Sequence, residues 1–137
     1  MTDVFAPEKR SAVMAKIRFK DTRPELVVRR LVWRLGFRYR LHERRLPGRP
    51  DFVFWGRRKV IFVHGCFWHH HPGCKYAVVP ATRREFWLDK LERNVERGNV
   101  NLKTLEQMGW KMLIIWECET RTSLNKLNKV ILEFLSE

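Results

Sequence analysis

Hydrophobic positions along the chain follow two rhythms, and the changes between them mark out the elements. Val13, Met14 and Ile17 share one side of a short helix predicted over 9–18, behind a loose arm at 1–8. Thr22 and Glu25 have capping-box spacing with Pro24 in the first turn. The helix they open carries Val27, Val28, Leu31, Val32 and Leu35 at helical period and stops at Gly36. Phe37, Tyr39 and Leu41 then alternate with Arg38, Arg40 and His42, the pattern of a half-buried strand. Leu46-Pro47-Gly48-Arg49-Pro50 reads as a turn, Asp51 to Trp55 as a strand, Gly56-Arg57-Arg58 as a reversal and Lys59 to His64 as a buried strand. Thr82 and Glu85 repeat the capping-box spacing before a long amphipathic helix. That helix carries Leu88, Leu91, Val95, Leu102, Leu105 and Met108, with Gly98 in one slot and Gly109 at its end. Trp110 to Trp116 is a strand with its buried centre at Met112 to Ile115, and Ser123 caps a final helix through Leu135.

The order α-β-β-β-α-β-α predicts an α/β fold: a mixed central sheet flanked by helices, in one compact unit without an internal linker. The 137 residues suit a single domain over 1–137. No apolar run approaches the roughly 18 residues that span a bilayer, and the first ten residues lack the apolar stretch of a secretory leader. Three cysteines argue against a closed disulfide framework. A reduced, cytoplasmic protein is expected.

Charge adds a direction. Residues 1–49 hold 14 basic and 5 acidic side chains, residues 50–78 hold 4 and 1, and residues 79–137 hold 10 and 9, within a net charge of +13. A polycationic front attracts polyphosphate whatever its sequence, because each Lys or Arg on a phosphate releases condensed counterions. With the aromatic content, this points to nucleic acid. No long basic amphipathic helix with an aromatic face argues for a membrane surface.

The candidate chemistry lies at the hairpin and the loop after it. With a turn centred near residue 57, Asp51 falls across from Val63 and next to His64. A carboxylate, a backbone carbonyl and an imidazole then meet at one end of a sheet, a setting for a hard divalent cation. Asp51 after Pro50 is equally well explained as a strand-entry cap, and Glu25 as a capping-box residue. Cys66, His71 and Cys74 form C-x4-H-x2-C, and Cys118 directly follows a core strand. Together they would make a closed Cys3His zinc site of the structural kind; the alternative is three buried thiols beside a surface histidine run. Phe67, Trp68 and Trp87 are either packed beneath their segments or exposed to wedge between base steps.

These residues carry a resemblance. L-P-G-R-P-D-F at 46–52, F-V-H-G-C-F-W-H-H-H at 62–71, P-A-T-R-R-E-F-W-L-D-K at 80–90, N-V-E-R at 94–97 and W-E-C at 116–118 resemble the very short patch repair (Vsr) endonucleases. Those belong to the PD-(D/E)xK nuclease superfamily with its αβββαβ, restriction-endonuclease-like core. The likeness runs from Arg10 through Cys118. Where the superfamily has acidic and lysine positions on the second hairpin strand, this chain has Phe62 and His64, a replacement that the Vsr group shares. Pro72-Gly73 sets Cys74 further from the histidine run than in the family. That leaves His70 and His71 as alternative zinc ligands, with His71 preferred for its distance from Cys66.

The resemblance implies a strand-specific DNA nickase that cuts 5′ to the thymine of T:G mismatches formed when 5-methylcytosine deaminates, initiating very short patch repair. It implies that Asp51 ligates Mg2+ beside the Val63 carbonyl, and that His69 is the general base. His64 and Glu25 would orient metal-bound water and the scissile phosphate. Cys66, His71, Cys74 and Cys118 would hold structural Zn2+. Phe67, Trp68 and Trp87 would intercalate, Lys90 and Asn94 would contact DNA beside the mismatch, and Met14 would sit against the other groove face. The basic arm at 1–20 would touch DNA. The partner would be double-stranded DNA with a T:G mismatch, read by a nucleoid-associated monomer that works with mismatch-repair and repair-polymerase proteins. Two competing readings are a zinc-stabilised DNA-binding module without catalysis and a hydrolase using zinc catalytically. A closed Cys3His set argues against the latter.

Overall fold

The computed structural model describes residues 21–137. The expected helix over 9–18, the arm and Met14 lie outside them. Helix α1, Arg23–Arg34, begins as the sequence predicts: Thr22 is its N-cap, the Glu25 N–H donates to Thr22 Oγ1, and Pro24 occupies the first turn. Gly36 follows its C-cap with φ +93°, a left-handed backbone that costs glycine little.

Four strands form one sheet in the order β1-β2-β3-β4. They are β1 (Arg40–Leu41), β2 (Phe52–Phe54), β3 (Lys59–His64) and β4 (Lys111–Trp116). The first three are antiparallel neighbours, and β3 and β4 run parallel. A parallel pair needs a long crossover, which α2, Arg84–Gln107, supplies. A short helix α3, Glu119–Thr122, and α4, Leu124–Ser136, close the chain. Ser123 caps α4 as expected, its Oγ accepting from the Lys126 N–H.

Two clusters form the core. Val28 and Val32 of α1, Phe52 and Ile61 of the sheet, and Leu127, Ile131 and Leu135 of α4 make the larger one. Leu105 and Trp110 pack with Val53, Val60 and Phe62 in the smaller one. Each fully buried Leu, Ile or Phe contributes on the order of 1.5–3 kcal/mol over its exposed state. Lys59 is buried inside this frame. Its Nζ donates to the carbonyls of Phe134 (2.6 Å) and Glu137 (2.8 Å), satisfying the open end of α4.

Four expectations need correction. Of the strand predicted over Phe37–His42, only Arg40–Leu41 is regular strand, with the His42 N–H adding one further bond to the Asp51 carbonyl. Arg38 turns back to donate to the Trp33 and Phe37 carbonyls and stacks on the Trp33 ring, which takes its segment away from the ladder. Thr82 does not cap α2: Arg83 is the N-cap, with φ 56° and no side-chain cap bond. A side-chain cap needs an extended N-cap backbone. The hydrophobic rhythm of α2 buries Leu91 and Leu105 and packs Leu102 half-buried against the smaller cluster, while Leu88 and Met108 stay exposed. Finally, the hairpin register is one residue off. Phe54 faces Lys59 and Phe52 faces Ile61, because the connection is a 3-10 turn at Trp55–Arg57 followed by a left-handed Arg58. Continued outward, that register sets Asp51 level with Phe62, not Val63.

Candidate active site

Asp51 stands at the mouth of β2, just past the last paired residue. The register shift alone would turn it away from Val63, but its side chain bridges the gap: Oδ2 accepts from the Val63 N–H at 2.7 Å. Asp51 is thus tied to Val63 through the N–H rather than by facing it. Burial, the largest influence, raises the Asp51 carboxyl to about 7, and the nearby Glu25 carboxylate adds to the rise. The Val63 N–H and the Arg49 charge pull the other way without offsetting this rise, and a cation held there would favour the ionised carboxylate.

Glu25 is 2% exposed, and each of its oxygens has partners. Oε2 accepts from Arg29 and from the Asp21 N–H. Oε1 accepts from His42 Nε2 at 2.8 Å. Asp21, Glu25 and His42 bring ligand atoms within 4.8 Å of one another. Arg29, however, already bonds both carboxylates of that trio, so the place a metal would take holds a guanidinium.

His64 ends β3 and is buried; His69 lies in the loop after it. The two imidazoles stack with ring centres 3.7 Å apart and planes 3° from parallel. Burial first, then the neighbouring His69, pushes His64 down to about 3, and burial also lowers His69. Both rings are therefore neutral near pH 7, the form in which an imidazole accepts a proton.

The loop that delivers His69 is a run of tight turns. The His69 N–H donates to Gly65 O, His70 to Phe67 O and His71 to Cys66 O. These turns send neighbouring histidines in different directions. His71 stacks on Trp116, centroids 4.0 Å apart, and its Nδ1 lies 3.5 Å from Cys118 Sγ. Cys66, His71, Cys74 and Cys118 bring one ligand atom each within 4.8 Å of the others. His71, not His70, completes the group. Burial pushes the Cys66 thiol up to about 12. Desolvation also acts to raise Cys74, but hydrogen bonds from the Tyr76 backbone and the other thiols bring it below its usual value. One buried and two half-buried thiols sharing protons in this way, joined by an imidazole nitrogen, fit tetrahedral Zn2+, which would take all three sulfurs as thiolates.

Phe67, Trp68 and Trp87 form one aromatic group, with centroid separations of 5.1 Å (Phe67–Trp68), 5.6 Å (Phe67–Trp87) and 6.2 Å (Trp68–Trp87). All three are half-buried. Lys90 of α2 holds its Nζ 5.7 Å above the Trp68 ring, and Asn94 Nδ2 donates to Trp68 O at 3.3 Å. A cleft of about 810 Å³ unites these parts: Glu25, Asp51, Val63, His64 and His69 line it together with Phe67, Trp68, Lys90 and Asn94. Trp87 is not among the lining residues and packs against Phe67 and Trp68.

Sequence reasoning missed His42, Arg29 and Glu117. His42 and Arg29 anchor Glu25. Glu117 lines the cleft, and its Oε1 accepts from the Cys66 N–H at 3.4 Å. Arg29 stands one helical turn from Glu25 on α1, whereas His42 and Glu117 act through contacts distant in sequence. Arg49, Arg97 and Asn101 also line the cleft; the two arginines fall within the motifs at 46–52 and 94–97, though the resemblance assigns them no role there.

A mixed sheet that presents acidic groups and neutral imidazoles to a basic, aromatic-walled cleft has the chemistry of a phosphodiester-processing enzyme. Comparison with known proteins agrees. The model of the family described as DNA mismatch endonuclease Vsr matches residues 2–76. The chain is 44% identical to the DNA mismatch endonuclease Vsr of Escherichia coli, over all of this chain and 87% of that protein. It is 41% identical to the type II nicking enzyme V.NmeAIP of Neisseria meningitidis, over 97% of this chain and 96% of the relative. It is 46% identical to the type II nicking enzyme V.XorIIP of Xanthomonas oryzae pv. oryzae, over 87% of each. The chain belongs to the Vsr family of DNA mismatch endonucleases.

Proposed function

We propose that this protein is a magnesium-dependent, strand-specific nickase that hydrolyses the phosphodiester 5′ to the thymine of a T:G mismatch and so initiates very short patch repair. The observation that carries the reading is the corner where Asp51, Glu25 and the stacked His64–His69 pair share one cleft with Trp68 and Lys90. A hard divalent cation takes few carboxylates and several waters, and Asp51 with the Val63 carbonyl fits that demand. When bound there, the ion supplies positive charge against the negative charge that builds on the scissile phosphate.

The chain's own residues do the rest. Neutral His69 accepts the proton of the attacking water. His64 holds the plane of that ring, and with Glu25 it orients the water and the phosphate. Phe67, Trp68 and Trp87 wedge into the stack at the mismatch, trading lost base stacking for aromatic contact. Lys90 and Asn94 contact DNA beside them, and Met14 meets the other groove face. Cys66, His71, Cys74 and Cys118 hold Zn2+ as a structural brace. We read the sheet and its helices as a restriction-endonuclease-like core, and the chain as one domain acting as a monomer. It would work beside the nucleoid in the cytoplasm, with no membrane partner, and pass its nick to repair-polymerase and mismatch-repair proteins.

The test uses a labelled T:G duplex, its T:A counterpart and Mg2+. One nick immediately 5′ to the mispaired thymine is expected, with none in the paired duplex. Tight binding of the mismatch without any cut would instead favour the non-catalytic DNA-binding module.

A further inference from the structure

His42 belongs to no recognised motif, yet it touches both carboxylate positions of the cleft. Its N–H donates to the Asp51 carbonyl at 3.1 Å, and the next residue, Glu43, donates to the Pro50 carbonyl at 3.2 Å. Its ring reaches the other way, where Nε2 meets Glu25 Oε1 at 2.8 Å. The His42 side chain is 14% exposed and that of Glu25 2%, so little water is at hand to replace the bond. Its backbone is left-handed, φ 49°, a region that histidine visits uncommonly and that Asn tolerates better. The two backbone bonds that continue the β1–β2 ladder hold it there.

The division of labour on Glu25 is specific. Arg29 and the Asp21 N–H take Oε2, and His42 takes Oε1. A carboxylate held by one oxygen pivots about it; held by both, it has a fixed plane. Through its backbone on one acidic residue and its ring on the other, His42 sets the relative placement of Asp51 and Glu25.

We propose that His42 is a positioning residue of the nicking reaction, bracing Glu25 against Asp51 so that the carboxylate that would take the divalent cation and the one that orients its water stand at fixed spacing. The proposal rests on the function given above.

Two variants separate its parts. His42→Asn suits the left-handed backbone and is too short to reach Glu25. His42→Gln carries an N–H donor at about the position of Nε2. One readout is Mn2+ affinity, followed by EPR of the free ion, for protein bound to a T:G duplex with an uncleavable linkage. The second is single-turnover nicking across a Mg2+ titration, and the third is duplex affinity without added metal. His42→Asn is expected to weaken Mn2+ binding and raise half-saturating Mg2+ by about tenfold, the scale of one lost hydrogen bond to a charged group. Metal-free duplex affinity should stay within about twofold, and His42→Gln should recover most of the loss. Wild-type metal affinity in His42→Asn overturns the proposal, as does a Gln variant as impaired as Asn. Either result leaves the nickase reading standing. That reading fails separately if the wild-type chain does not nick the T:G duplex, and the Mn2+ measurement still decides the role of His42 in that event.

Discussion

The cleft corner and the Cys/His group draw on the same loop yet differ in almost every physical respect. His69 faces the cleft and stacks on His64; His71, two residues on, stacks on Trp116 and meets Cys118. One region gathers oxygen ligands and neutral imidazoles beside open space. The other gathers three sulfurs and a nitrogen within 4.8 Å. Hard, water-rich coordination suits an ion that must meet a substrate, whereas a closed soft tetrahedron suits one that only braces. A few tight turns between Gly65 and Cys74 are enough to keep the two chemistries apart.

If the division holds, damage to the two regions has different signatures. The largest effect is expected from Cys66→Ala or from stripping zinc. The Cys66 side chain is fully buried, and structural zinc sites supply on the order of 10 kcal/mol of apparent binding free energy to folding. Thermal melting should show loss of the cooperative transition, with about one zinc per chain measured in the wild type. A metal-free chain that melts like the wild type would break the comparison.

Next comes His69→Ala, which should slow single-turnover nicking by about 10²–10⁴-fold, the range for a lost general base, while the melting temperature moves little. Equal loss of stability and rate would return His69 to a packing role. Third, Trp68→Ala should reduce the preference for T:G over paired duplex by an amount on the order of 1–3 kcal/mol, the worth of one base–aromatic stack. Competition binding gives the ratio directly, and an unchanged ratio would leave Trp68 as simple core.

The smallest effect is on pH dependence. Burial, then His69, sets the folded pKa of His64 at about 3 against 6.5 for a free imidazole. Between those values the unfolded chain binds more protons. The stability that neutral His64 provides is therefore fully present above pH 6.5 and lost as pH falls through the window. Asp51 has the opposite sign: raised from 3.8 to about 7, it favours the fold at low pH and loses that contribution as pH rises. Because Asp51 acts in both proteins, the wild type should lose melting temperature relative to His64→Gln as pH falls from 7 to 5. Identical pH dependence would contradict the buried, neutral imidazole.

Much of this arrangement was legible in the sequence. Thr22, Pro24 and Glu25 announced α1, because a capping box satisfies its own backbone groups within one turn. The apolar run at Lys59–His64 is the observed strand, and the Cys/His spacing pointed to the group that assembles. What escaped depends on contacts between segments. Arg38 leaves the β1 ladder to stack on Trp33, and no local pattern encodes that. The left-handed backbone of Arg83 displaced the cap expected at Thr82. The hairpin register hung on the left-handed Arg58, and one residue of slip moved Asp51 from facing Val63 to reaching it with its side chain. His42 was invisible because its significance lies in a bond to a residue 17 positions away.

The most direct test pairs nicking with binding in Asp51→Ala. In single-turnover assays on a T:G duplex with Mg2+, the account predicts a loss of at least about 10³-fold in nicking, with duplex affinity and melting temperature close to those of the wild type. Nicking that survives the substitution, or binding that disappears along with it, would contradict the placement of the reaction at this corner of the sheet.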